Sequence, residues 1–219
     1  MSIKAVIFDF DGVLADTERL HLRATQEALR VRGWTLDEGA YFERYLGFGD
    51  RDLIVEIARD LRESIDEGQI QAFVAAKAIR YRDLVEAGAV LYATAASCVA
   101  RLGARYPLAI ASGSLRSEIH DILSASGLRD AFRVIVGADD CTSGKPAPEP
   151  YLNAAAQLGL DPASAVAVED SHWGLESARA AGLKTIAVTT SYPASALGVA
   201  DVIVQSLDEV TLDLLAGLG

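Results

Sequence analysis

Val6-Ile7-Phe8-Asp9-Phe10-Asp11-Gly12-Val13-Leu14 sets a β-branched, aromatic run against a glycine, with two aspartates two residues apart at the junction. Val6 to Phe8 read as a buried strand, and Gly12 marks where the backbone turns. Side chains alternate along an extended chain, so Asp9 and Asp11 point the same way and their carboxylates converge on one small volume. Like charges that close repel, and burial strengthens the repulsion. The pair therefore needs a cation, a shared proton or open water. An Asp-Gly turn after an ordinary strand is the alternative reading of these residues alone.

Outward from this stretch the pattern is helical to about Glu86. Leu20, Ala24, Ala28 and Val31 stripe a helix over 17–32, with Asp16 placed as its N-cap and Gly33 as its stop. Thr35 and Glu38 have capping-box spacing for a short second helix. Leu53, Ile54, Ile57, Ala58 and Leu61 stripe a third after Asp50. Ser64 and Glu67 have capping-box spacing for a fourth, which runs through Ile70, Phe73, Val74, Lys77, Tyr81 and Leu84. From about residue 90, helices alternate with short apolar strands at 108–111, 134–136, 165–168, 185–188 and 202–204. Near-continuous apolar strands separated by helices indicate a parallel sheet covered on both faces. The expected fold is α/β: a doubly wound, Rossmann-like core of residues 1–15 and 88–219, with an α-helical domain of residues 16–87 inserted after the first strand. Ligands of such open sheets bind at the carboxyl ends of the strands.

With 219 residues, 51% hydrophobic and 23% charged, the chain can bury a full core without disulfide staples. No apolar run reaches the length of a membrane span, and Met1-Ser2-Ile3-Lys4 enters the first strand without a signal-peptide pattern. A cytoplasmic monomer is the expected state. Cys98 and Cys141 belong to no Cys-x-x-Cys pair and read as reduced thiols, with Cys98 in the core. The formal charge of −11 argues against a nucleic-acid surface. A small phosphate ligand remains compatible with it, provided the site recruits a lysine or arginine, a metal ion or helix N-termini.

The strand ends present Asp9 and Asp11, then Ser112-Gly113-Ser114, then Gly144-Lys145-Pro146, then Glu169-Asp170-Ser171. Asp9, Asp11, Glu169 and Asp170 are hard oxygen donors, which suit Mg²⁺ beside a phosphate better than a softer metal. Ser112 precedes a helix start and could grip a phosphate oxygen together with backbone amides. Lys145 would add a mobile positive charge on a loop stiffened by Pro146, Pro148 and Pro150. Each piece also has a plain structural reading, as helix caps for the serines and acids and as a solvated loop residue for the lysine. In chain order, the four together make a specific constellation.

Asp9-Phe10-Asp11-Gly12-Val13, Ser112, Lys145 with Pro146, and Glu169-Asp170 resemble the four motifs of the haloacid dehalogenase superfamily, and the insertion resembles its helical cap. The branch it resembles most holds β-phosphoglucomutase and sugar-phosphate phosphatases. The resemblance implies that Asp9 is a nucleophile forming an aspartyl-phosphate, and that Asp11 is the general acid/base whose backbone carbonyl also ligates Mg²⁺. It makes Asp170 a metal ligand, with Glu169 ligating or just behind. Four carboxylates against Mg²⁺ and Lys145 leave a net charge of −1, so one carboxyl is best protonated, and Asp11 is the candidate. Retention of Asp11 separates the chain from the dehalogenases and phosphonatases of that superfamily and points to phosphoryl transfer.

Within the cap, Lys77 lies on an apolar face four residues from Phe73 and Tyr81. It faces the cap interior or the cleft, or snorkels to water. His21 resembles a cap-hinge histidine of the branch, and Gly47 with Arg51 resembles its phosphate-holding cap loop. Here Asp50 stands beside Arg51 as an adjacent counter-ion, and the core loop Ser112-Gly113-Ser114-Leu115 leads to Arg116 where mutases have asparagine. The Pro-Gly expected at the return to the core is replaced by Leu91-Tyr92-Ala93-Thr94. These departures favour a phosphatase for a small phosphate monoester, a sugar phosphate first, over a phosphosugar mutase or a non-catalytic phosphate binder.

Overall fold

The computed structural model describes residues 2–45, 48, 50–86 and 90–219, so the candidate Gly47 lies outside the described residues. The chain divides into two compact units, Thr17–Gly88 and Met1–Asp16 with Ala89–Gly219.

The smaller unit is helical: α1 (Thr17–Arg30), α2 (Glu38–Ala40), a π-helical turn Tyr41–Tyr45, α3 (Asp50–Leu61) and α4 (Glu67–Glu86). Its core gathers Leu22, Leu29, Tyr41, Leu53, Ile54, Ile57, Ile70 and Phe73. Val31 departs from the expected stripe, because α1 stops one residue earlier and leaves Val31 exposed. Two caps also differ from the expected ones. The α2 start is capped by Asp37, whose Oδ1 accepts the Ala40 amide at 3.1 Å, and Thr35 is not the cap. For α4 the reciprocal box is Asp66 and Gln69, with amide contacts of 2.8 and 3.1 Å, in place of Ser64 and Glu67.

The larger unit is a six-stranded parallel sheet made of β1 (Ala5–Phe8), β2 (Leu108–Ala111), β3 (Phe132–Val136), β4 (Ala165–Glu169), β5 (Lys184–Val188) and β6 (Val202–Val204). Its order is β3-β2-β1-β4-β5-β6. The central strands are buried along their whole length, as their unbroken apolar sequences require. Helices α5 (Ala95–Gly103), α6 (Arg116–Ala125), α7 (Glu149–Leu158), α8 (His172–Ala180) and α9 (Leu212–Gly217) complete the unit. Small residues let α7 approach the sheet closely: Ala154 and Ala155 share a core cluster with Ile7, Ala109, Ala111 and Ala167. Gly159 ends α7 in the left-handed region, at φ +71°, where a side chain would be strained.

Strand order reverses at the β1/β4 border, with β2 on the other side of β1. Such a switch point opens a crevice at the carboxyl ends of the strands. Asp9, Ser112, Glu169 and Asp170 all stand there. Among the described residues no helix is long and apolar enough to cross a membrane.

Candidate active site

Asp9 continues β1 by one residue, its amide donating to the Val168 carbonyl at 2.9 Å. The chain then folds back on itself. The amides of Leu14 and Ala15 both donate to the Phe10 carbonyl, and Gly12 donates to the Ala15 carbonyl at 2.8 Å. Gly12 sits at φ +75°, and a methyl group there would overlap the Asp170 carboxylate. The glycine therefore serves both the turn and the approach of two acidic loops.

Asp9 Oδ1 accepts the Phe10 amide at 2.7 Å and lies 2.8 Å from Lys145 Nζ. The same ammonium donates to Glu169 Oε1 at 2.6 Å, so Lys145 bridges two buried carboxylates. Its loop is pinned as well as stiffened: the Thr142 and Ser143 amides donate to Glu149, and Ser177 Oγ donates to the Ala147 carbonyl at 2.6 Å. Lys145 and its loop are thus tied to the core by hydrogen bonds at several points.

Glu169 is fully buried and accepts five hydrogen bonds. Oε1 takes Lys145 and the Tyr151 hydroxyl, the latter at 2.9 Å; Oε2 takes the Asp170 amide at 3.0 Å, the Ser171 amide at 3.2 Å and Ser171 Oγ at 3.1 Å. Asp170 accepts the Ser191 hydroxyl on Oδ2. Asp11 Oδ2 accepts Ser112 Oγ at 2.9 Å and Ser114 Oγ at 2.7 Å, while Ser112 Oγ accepts the Ser114 amide at 3.0 Å. Helix α6 begins only at Arg116, so Ser112 is a loop residue on Asp11 and caps no helix. Ser171 does cap α8, accepting the Gly174 amide at 3.1 Å.

The electrostatics follow from this crowding. Burial, then the charge of Glu169, raise the Asp9 carboxyl well above the usual carboxylate range, and Lys145 offsets only part of that. Asp170 is pushed up to about 7 by the same two causes in the same order. Burial works against the Lys145 ammonium, yet Asp9 and Glu169 overcome it and hold its proton more tightly than usual.

Asp9, Glu169 and Asp170 each offer a carboxylate oxygen, and these lie within 4.8 Å of one another. Fully ionised, the three carboxylates against one ammonium would carry a charge of −2 in a buried volume, which fits a hard divalent cation. Glu169 has the least capacity left for direct ligation, since its hydrogen bonds already fill the roughly four lone-pair directions of a carboxylate.

The other candidates are placed as follows. Gly113 is exposed in the β2 loop. Arg116 is spent on Asp140, through Nε at 2.9 Å and a second guanidinium nitrogen. In the helical unit His21 stacks on Tyr81 with ring centroids 4.4 Å apart. Lys77 is 3% exposed and pairs with Asp50. Arg51 pairs with Glu67 at 2.6 Å. Asp50 is therefore the counter-ion of Lys77, and the expected Asp50–Arg51 pairing is corrected: neighbours on a helix point about a quarter-turn apart, whereas Lys77 crosses from α4.

Sequence reasoning missed Tyr151, Gly174, Thr190 and Ser191. The Thr190 hydroxyl donates to the Gly12 carbonyl, so the loop after β5 braces both acidic loops. No local spacing marks such residues, because their partners are as far as 178 positions away.

The crevice at the switch point gathers three buried carboxylates around one lysine. The sequence profile of the haloacid dehalogenase-like hydrolases matches residues 3–182, and the chain belongs to that family. It is 34% identical over 199 residues to the protein CbbY of Rhodobacter capsulatus, covering 88% of each chain. It is 32% identical over 220 residues to hexitol phosphatase B of Escherichia coli K12, covering 98% of this chain and 97% of that one. The crystal structure of CbbY from Rhodobacter sphaeroides in complex with phosphate superposes with a TM-score of 0.84 at 31% identity, covering 97% of this chain and 99% of that one.

Proposed function

We propose that this chain is a magnesium-dependent phosphatase that removes the phosphoryl group from a small sugar or polyol monophosphate through a phospho-Asp9 intermediate. The observation that carries the reading is the meeting, beyond the end of β1, of Asp9 with Lys145 from the loop before α7 and of Asp11 with Ser112 and Ser114 from the loop after β2. The phosphate in the related CbbY structure and the hexitol phosphatase relative support the substrate class.

Asp9 is the nucleophile. Lys145 and the Phe10 amide engage Oδ1, which orients Oδ2 for attack on phosphorus. As the Asp9 oxygen–phosphorus bond forms, the ester oxygen–phosphorus bond breaks and Asp11 gives its proton to the departing alkoxide. Asp11, now a carboxylate, takes a proton from the water that attacks phosphorus, releasing orthophosphate and restoring Asp9. Ser112 and Ser114 hold Asp11 and stand where their hydroxyls can pass to phosphate oxygens. Asp9 and Asp170, with the Asp11 carbonyl and with Glu169 behind them, would hold magnesium, which supplies charge stabilisation to the phosphoryl oxygens.

A panel of phosphate monoesters with Mg²⁺ tests the proposal, with β-glucose 1-phosphate and a bisphosphate primer included. Release of phosphate is expected from sugar or polyol monophosphates. Conversion of β-glucose 1-phosphate to glucose 6-phosphate without phosphate release would make the chain a mutase. No magnesium-dependent turnover of any ester would make it a binding protein.

A further inference from the structure

Tyr151 sits in the first turn of α7, completely buried in an aliphatic cluster with Ile7, Ala109, Val136 and Ala167. Space filling alone asks for phenylalanine at such a place, because a buried hydroxyl costs free energy unless it is bonded. Here the hydroxyl donates to Glu169 Oε1 at 2.9 Å, and the ring centroid lies 5.1 Å from Lys145 Nζ. The Glu169 carboxylate also lies against Gly174, where a methyl group would overlap it. Lys145 in turn has two carboxylate partners, Glu169 and Asp9. Tyr151 and Lys145 are the two donors to Glu169 Oε1, and Oε2 is held by residues 170 and 171, so Tyr151 reaches the Asp9 carboxylate through Glu169 and Lys145.

We propose that Tyr151 is a positioning residue: its hydroxyl fixes Glu169, and through Glu169 it sets Lys145 against Asp9. The proposal rests on the reading of Asp9 as nucleophile. Tyr151 touches neither substrate nor reacting atoms in this assignment. Its removal should therefore lower the rate of the chemical step and loosen the acidic cluster while leaving substrate recognition alone.

Tyr151→Phe deletes one oxygen and keeps the ring, and it is compared with the wild-type chain in three measurements. At saturating Mg²⁺, kcat should fall about tenfold with KM unchanged within about twofold, the size typical of losing an outer hydrogen bond to a metal site. Titration calorimetry with Mg²⁺ alone, which needs no turnover, should show binding weakened about tenfold. The melting temperature should stay within about 10 °C of wild type. Wild-type kcat and wild-type Mg²⁺ affinity in the variant would overturn the proposal while leaving the phosphatase reading intact. A larger loss of melting temperature would overturn it too, since the hydroxyl would then serve the fold. A wild-type chain that hydrolyses no ester overturns the phosphatase reading, and this inference with it.

Discussion

At the residue scale, the two aspartates are distinguished by their partners. Asp9 faces an ammonium and an amide, whereas Asp11 faces two hydroxyls. Asp9→Asn keeps the shape and the Phe10 contact but removes the nucleophile, so phosphate release should fall by at least about three orders of magnitude. Asp11→Asn should cost about 10²–10⁴ in kcat, with esters of good leaving groups such as nitrophenol retaining the most activity because they need no proton. A leaving-group-independent loss would count against Asp11 as the acid. The cysteines give a separate test. Burial pushes the Cys98 thiol up to about 11, and partial burial raises Cys141 as well. Thiolate is the reactive form, so at pH 8 mass spectrometry should find Cys141 alkylated slowly and Cys98 unmodified until the protein is unfolded. Raising the pH to 10 should accelerate Cys141 first. Modification of Cys98 in the native chain at pH 8 would contradict its placement. Asp9, Asp11 and Asp170 stand out in the sequence because each closely follows an apolar run at a strand end, and Lys145 because it opens a proline-rich loop. Tyr151 does not, since its only mark is a hydroxyl on a residue that otherwise reads as core.

Elements show where spacing rules succeed and where they run out. Helices α1, α3 and α4 follow their apolar stripes except at the C-terminal ends of the first two, where Val31 and Leu61 are exposed, but Ser64/Glu67 and Asp66/Gln69 both satisfy the capping-box spacing, and only the folded backbone chooses the second. Arg51 and Lys77 show the same limit for charges. Their partners are Glu67 and Asp50, supplied by neighbouring helices, not by the sequence neighbours. The α3–α4 contact yields a prediction about stability. Asp50→Ala would leave the buried Lys77 ammonium without its carboxylate and should destabilise the helical unit by about 1–3 kcal/mol. Lys77→Met replaces the buried cation with a side chain of similar length and should cost less, because the carboxylate it abandons is partly open to water. Chemical denaturation of both variants gives the order. If Lys77→Met proved the more damaging, the ion pair would be net stabilising and the reasoning reversed.

For the whole molecule, the parallel sheet was readable from the apolar runs, and the sheet order then fixed where the acidic loops meet. What the sequence could not give is the depth of that meeting, which turns an overall charge of −11 into a specific local problem. Asp9 and Asp170 are buried together with Glu169, so both hold protons more tightly in the fold than in the unfolded chain. A carboxyl with a raised folded-state pKa gives a native state that binds more protons than the unfolded one between the two values. Stability of the metal-free protein should therefore fall as pH rises from about 4, the ordinary carboxylate value, through about 7, where Asp170 titrates. Lys145 cannot mask the trend, because its charge is held well beyond that range. The size should be on the order of a few kcal/mol. Excess Mg²⁺ should reverse the sign of the effect: ionised carboxylates bind the cation, so its stabilisation grows over the same interval as protons leave. Denaturation in EDTA and in Mg²⁺ at pH 5 and pH 8 measures both slopes. Asp170→Asn should flatten the metal-free slope and abolish much of the Mg²⁺ gain. A metal-free wild type that is more stable at pH 8 than at pH 5 would mean that the carboxylates are paid for elsewhere in the fold, and that the cation is not what the cluster lacks.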